Sequence, residues 1–205
     1  ARRRSGGIWP AEEGTMDAQS AEWRHKAREH LRTRGTLATP AVVHERVGAA
    51  FAALRDLLDA VPPDVVTRRT LPGEWTVQEI VDHLLETHRP GLDELRCLLA
   101  GQRPPGPPIP AGLQSKAPML RPWPWLCAEL ARLHEDILET LASVPTGFQT
   151  DARAPLVMVV NVPGPAGSFT PEHWIEELDW KAYAAGWRLH VLDHLGQAKK
   201  VLAAR

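Results

Sequence analysis

Long hydrophobic runs are missing from this chain. No apolar stretch approaches the roughly 18 residues of a membrane span, so nothing in it reads as a transmembrane helix. A net excess of charge is missing too: the formal charge at pH 7 is −1, which leaves no global field to draw the protein to nucleic acid or anionic lipid. The basic residues that gather early, Arg2, Arg3, Arg4, Arg24, Lys26, Arg28, Arg32 and Arg34, are interrupted by Glu22 and Glu29 and accompany no nucleic-acid motif. They read as a loose terminus and a solvated helix face. The first arginines precede no continuous apolar segment of the kind a secretory signal carries. Cysteine is scarce. Cys97 and Cys127 lie 30 positions apart on separate predicted helices, with no C-x-x-C pairing, and read as reduced packing thiols of a cytoplasmic protein.

A length of 205 residues suits one domain, or one domain with an arm. Residues 1–38 read as an N-terminal arm. Its first 20 or so positions lack apolar periodicity and are expected to be disordered, with Met16 a candidate true start. A polar helix is expected from about Ser20 to Arg34. Residues 39–205 read as the working domain. Thr39-Pro40 announces a helix, and Val43, Val47, Ala50, Phe51, Leu54, Leu57 and Leu58 give it an apolar stripe that ends near Val61-Pro62-Pro63. Trp75-Thr76-Val77-Gln78-Glu79-Ile80 spells a capping box, with Thr76 as N-cap and Trp75 placed to staple against Ile80. The inward stripe there is Ile80, His83, Leu84 and Thr87, and Pro90-Gly91 should kink or interrupt the helix before Leu92, Leu95, Leu98 and Leu99.

Residues 101–124 hold eight prolines and three glycines, too many for a helix or a central strand. The segment reads as a long crossover, a lid or a tether, with Trp123 and Trp125 anchoring it. A further amphipathic helix carries Leu126, Leu130, Leu133, Ile137, Leu138 and Leu141 to Val144-Pro145. Between 145 and 170, Leu156 to Val162 has the β-branched content of a short strand, and a two-stranded hairpin stays open. A last helix is expected from Ser168–Thr170 towards Leu202, with Thr170 as cap, Pro171 at its first position, Glu172 and Glu176 near the positive end of its dipole, and a bend at Gly186. Four amphipathic helices, two long connections and almost no strand argue for an all-α fold, a four-helix bundle.

Within it, His190 and His194 sit four residues apart, one turn above each other on one helix face with Trp187, Val191, Ala198 and Val201. Together with His83 from the second amphipathic helix they form a candidate metal triad inside the bundle. Three protein ligands leave a position open for water or substrate, as catalytic zinc-type sites do. Neutral imidazoles suit zinc, nickel, copper and iron alike, with zinc leading by availability. Of the nine histidines, His25, His30, His44 and His173 read as surface or cap residues, and His88 and His134 as lesser candidates for additional ligands. Glu79, Asp82, Glu86 and Asp193 are candidates to orient the ligands. Gly186 would either leave room for a substrate or serve packing. Trp75, Trp174, Trp180 and Trp187 would wall a pocket or plug it.

The Trp75-Thr76-x-x-Glu79-Ile80-x-x-His83-Leu84 and His190-x-x-x-His194-x-x-Gln197 segments resemble those of the DinB/YfiT-like metalloenzyme family, over about Thr39 to Leu202. The resemblance implies a four-helix bundle, often a homodimer, in which His83, His190 and His194 bind a divalent metal, zinc or nickel. It implies a thiol-dependent transferase, using a low-molecular-weight thiol such as bacillithiol or mycothiol, or a hydrolase, acting on a small molecule. Asp193 stands where such proteins often carry a further histidine, and the proline-rich segment is an insertion. The competing expectation is a non-catalytic bundle of stress-response type, dimeric, that is pinned by metal or binds a small hydrophobic ligand.

Overall fold

The structure, a computed structural model, describes residues 18–163 and 169–204. The segment expected to be disordered falls almost wholly outside them, as do residues 164–168. The chain runs through α1 (Ala18–Leu31), a π-helical turn (Arg32–Thr36), α2 (Pro40–Ala60), α3 (Val77–Leu99), a short 3-10 turn (Pro118–Leu120), α4 (Trp123–Ala142), β1 (Ala154–Pro163), β2 (Phe169–Leu178) and α5 (Trp180–Ala203). It is mostly helical, with one small two-stranded antiparallel sheet. Among the described residues no helix is long and apolar enough to cross a membrane.

The starts of α2 and α3 are where the sequence puts them. Thr39 caps α2, accepting a hydrogen bond from the Val42 amide with Pro40 at the first position. Thr76 Oγ1 accepts from the Glu79 amide at 3.2 Å while Glu79 Oε2 accepts from the Thr76 amide at 2.7 Å, the reciprocal capping box. α2 and α3 each pack against α4 and α5. Val47, Leu54, Ile80, Leu84, Leu95, Leu126, Ile137, Val191 and Ala198 form the core between them. α3 continues through Pro90 without a break. Leu92, Leu95 and Leu98 beyond the proline are buried, and their burial outweighs the roughly 3 kcal/mol that an internal proline costs a helix.

The last helix differs from expectation. Thr170 and Pro171 do not open it; they lie in β2, opposite Val162 and Asn161 of β1. Trp174 and Leu178 are buried while His173, Ile175 and Glu177 are exposed, a period of two rather than 3.6. Met158 and Trp174 pair across the ladder on its buried face. The true cap is Asp179, whose Oδ1 accepts from the Lys181 amide at 2.9 Å and the Ala182 amide at 3.0 Å. Glu172 and Glu176, expected at the helix dipole, instead receive α1: Arg24 lies 3.1 Å from Glu172 and Arg28 lies 2.7 Å from Glu176. The early basic residues therefore do more than face solvent. Two of them dock α1 on the hairpin, with the Arg24 guanidinium over the Trp174 ring.

Gly186 is a packing glycine. A Cβ there would meet Leu156 Cδ2 of β1 at 2.9 Å, so the position brings hairpin and α5 together and offers no substrate space.

Candidate metal centre

The proline-rich crossover is a tether. Gln114 Nε2 donates to the Glu79 carbonyl, and the Ser115 amide and hydroxyl both donate to the buried Asp82 carboxylate at 2.8 Å. Gln78 Nε2 reaches the Pro118 and Arg121 carbonyls, and Arg121 also pairs with Asp82 at 3.0 Å. Trp123 packs against the core, whereas Trp125 is 41% exposed, with its ring beneath the Arg121 guanidinium. Asp82 and Glu79 thus serve the crossover, the helix cap and Arg69, and Glu86 pairs with Arg121; none of them bonds an imidazole. What the tether delivers to the centre is the Leu113 carbonyl, 2.7 Å from His83 Nδ1.

That contact fixes a tautomer. A carbonyl only accepts, so His83 Nδ1 carries the hydrogen and Nε2 is left as a bare lone pair. The same logic holds on α5. Gln197 Nε2 donates to Glu74, which also pairs with Lys200, so the amide oxygen of Gln197 faces His194 Nδ1 at 2.9 Å. His194 Nε2 is bare as well. Both lone pairs point at His190 Nε2, at 2.9 Å from His83 and 3.1 Å from His194. The ligand atoms of the three residues all lie within 4.8 Å of one another, and the group could hold a metal ion.

The donor set fits a cation. One hydrogen on His190 Nε2 would satisfy only one of its two close neighbours, whereas a tetrahedral ion with bonds of about 2.0–2.1 Å holds its nitrogens roughly 3.3 Å apart, close to the 2.9 and 3.1 Å of the two pairs that include His190. The rings are also kept neutral. Burial, with the neighbouring His194, pushes His83 down to about 4 against the pull of Leu113 and Asp82. Burial holds His190 well below the ordinary histidine value, and lowers His194 despite Gln197 and Asp193. Trp75 roofs the cluster, its ring 4.8 Å from that of His83 and stacked at 5.7 Å on His194. Trp187 sits edge-on to His88. The ring partners of Trp174 and Trp180 are Arg24 and Phe148, away from the triad.

His88 and His134, lesser candidates for additional ligands by sequence, belong to the same network through the far edge of His190. His88 Nε2 lies 3.2 Å from His190 Nδ1, and His88 Nδ1 lies 3.1 Å from His134 Nε2. The available signal was position: His88 follows Leu84 by one turn, and His134 follows Leu130 by one turn on the apolar stripe of α4. His25 and His173 are exposed, and His30 and His44 half-buried. Both cysteines are free, and burial pushes the Cys127 thiol up to about 11, which leaves it unreactive.

A family model described as the DinB superfamily matches residues 46–180. The matched span carries most of α2, all of α3, α4 and the hairpin, with His83, His88 and His134, and ends before His190 and His194. No curated protein matches the chain.

Proposed function

Since the chain belongs to the DinB superfamily, we propose that its three converging imidazoles hold one divalent metal ion, zinc or nickel, and that the protein is a metal-dependent enzyme acting on a small molecule. The observation that carries this reading is the pair of bare Nε2 lone pairs, of His83 and His194, aimed at a third imidazole nitrogen within 3.1 Å. We read α2 to α5 as a four-helix bundle with its site between the facing helices α3 and α5, the position such folds use for metals.

A divalent ion with three neutral ligands supplies Lewis acidity, enough to bring the pKa of water towards neutrality or to favour a thiolate. Around it, the Leu113 carbonyl and Gln197 orient two of the ligands, and the Trp75 ring packs against both of them. Among the described residues no carboxylate hydrogen-bonds the triad imidazoles, and hydrolysis would call for a general base beside the bound water. A thiol ionises more readily than water and has less need of one. Thiol-dependent transfer is therefore preferred over hydrolysis, with a low-molecular-weight thiol as co-substrate and a homodimer as the working form.

Elemental analysis of the tag-free protein tests the reading. One zinc or nickel per chain is expected in the wild type and in His173→Ala, and none in His83→Ala, His190→Ala or His194→Ala. A wild type that stays empty after reconstitution with several divalent ions would reduce the triad to a core contact. One feature favours a second reading, a non-catalytic ligand-binding protein: a recess of about 350 Å³ under the crossover, lined by Pro90, Pro105, Ile109, Pro110 and Leu113, is of a size for a small apolar molecule. Full metal loading with no turnover of any thiol or hydrolysable substrate would move the balance to it.

A further inference from the structure

The triad uses only one edge of His190. The other edge begins a chain of imidazoles that crosses the core, from His190 on α5 through His88 on α3 to His134 on α4, by contacts of 3.2 and 3.1 Å. His88 is completely buried and His134 is 7% exposed. Each link needs one N–H and one lone pair, so three neutral rings in series have two settings. In one, His190 Nδ1–H donates to His88 Nε2, and His88 Nδ1–H donates to His134 Nε2; His190 Nε2 is then bare. In the other every hydrogen bond runs backwards, and His190 Nε2 carries a hydrogen aimed at the triad. Only the first setting makes His190 a ligand.

We propose that His88 and His134 are positioning residues that hold His190 in the tautomer and ring orientation with its Nε2 lone pair facing His83 and His194, and so set the metal affinity of the centre. The inference rests on the metal reading above. The rings are fixed by packing as well as by hydrogen bonds. His134 stacks on Phe51 of α2, with centroids 3.6 Å apart and planes 6° from parallel. Trp187 presses edge-on to His88, and it can do so because Gly91 leaves room: a Cβ there would lie 3.2 Å from the indole. A ligand imidazole that donates its second N–H is more basic and better aimed, and losing that acceptor typically costs about 10–100-fold in metal affinity. His88 therefore does for His190 what the Leu113 carbonyl does for His83 and what Gln197 does for His194, and all three ligands are oriented from behind.

The test is zinc affinity, measured by competition with a chromophoric chelator on tag-free protein, beside thermal unfolding of the same variants without metal. His88→Leu is expected to weaken zinc binding by about 10–100-fold. His88→Gln, whose amide oxygen can stand near the lost Nε2 and accept from His190 Nδ1, is expected to recover most of that loss. His134→Phe, which keeps the stack on Phe51 but removes the acceptor for His88, is expected to show a loss between the two. Equal losses in the Leu and Gln variants, or wild-type affinity in a folded His88→Leu, would overturn the proposal. If His88→Leu does not fold, His134→Phe and His88→Gln decide: wild-type affinity in the former, or a full loss in the latter, overturns it. A wild type that takes up neither zinc nor any other divalent ion sinks the metal reading and this inference together, whereas a wild type that binds no better than its His88 variants sinks this inference alone.

Discussion

Five imidazoles lie within one connected network in the core, and burial keeps each of them neutral. His134 is pushed down to about 3 by burial and the nearby Arg55, and His83 down to about 4; His88 and His190 also lie well below their ordinary value. A histidine whose pKa is lower folded than unfolded takes up fewer protons in the native state. Its contribution to stability is complete above the unfolded value of about 6.5 and is lost as pH falls towards the folded one. The metal-free protein should accordingly be equally stable at pH 7 and 8. It should lose stability between pH 7 and pH 5, with His83 and His134 contributing up to about 2 kcal/mol each. Urea unfolding at these three pH values checks this, and a midpoint that does not move at pH 5 would show that the rings are not buried neutral. Sequence reveals part of this network. His190 and His194 are legible because spacing of four on a helix fixes a shared face, and His83 because the capping box fixes the phase of α3. His88 and His134 sit on equally legible faces, but their partners lie on other helices, 102 and 46 positions away.

At the scale of the element, the decisive contacts are close approaches that only small residues permit. Gly35, in the π-helical turn, faces α5: a Cβ there would lie 2.5 Å from Ala182 Cα and 2.8 Å from its amide nitrogen. Backbone cannot yield as a side chain can. Gly35→Ala should cost about 3 kcal/mol in chemical denaturation, while Gly186→Ala, which meets only the flexible end of Leu156, should cost about 1. Equal effects at the two positions would contradict the packing described. The hairpin and the start of α5 show how local signals compete. Thr170-Pro171 is a sound helix opening by itself, yet Asp179-Trp180 is another, and the chain uses the second. Strand pairing with the valine-rich β1 buries Met158 and Trp174 together, a gain that a helix over the same residues would forgo.

For the molecule as a whole, a bound ion links α3 to α5, so loading should appear as stability. Zinc at a hundred times its dissociation constant adds about 2.7 kcal/mol, which for a chain of this size raises the unfolding midpoint by roughly 5–10 °C. The shift should vanish in His190→Ala and on chelation, and calorimetry with and without metal would expose its failure. Sequence was enough for a mostly helical fold, the starts of α2 and α3, the family and the choice of His83, His190 and His194 as candidates, because helix caps, apolar periodicity and i, i+4 spacing are local properties. The tertiary structure alone decided that the proline-rich crossover is tied to α3 and orients His83, that two early arginines hold α1 on the hairpin, and that His88 and His134 stand behind the triad. Each of these depends on which faces meet across long separations in the chain, and no local pattern carries that information.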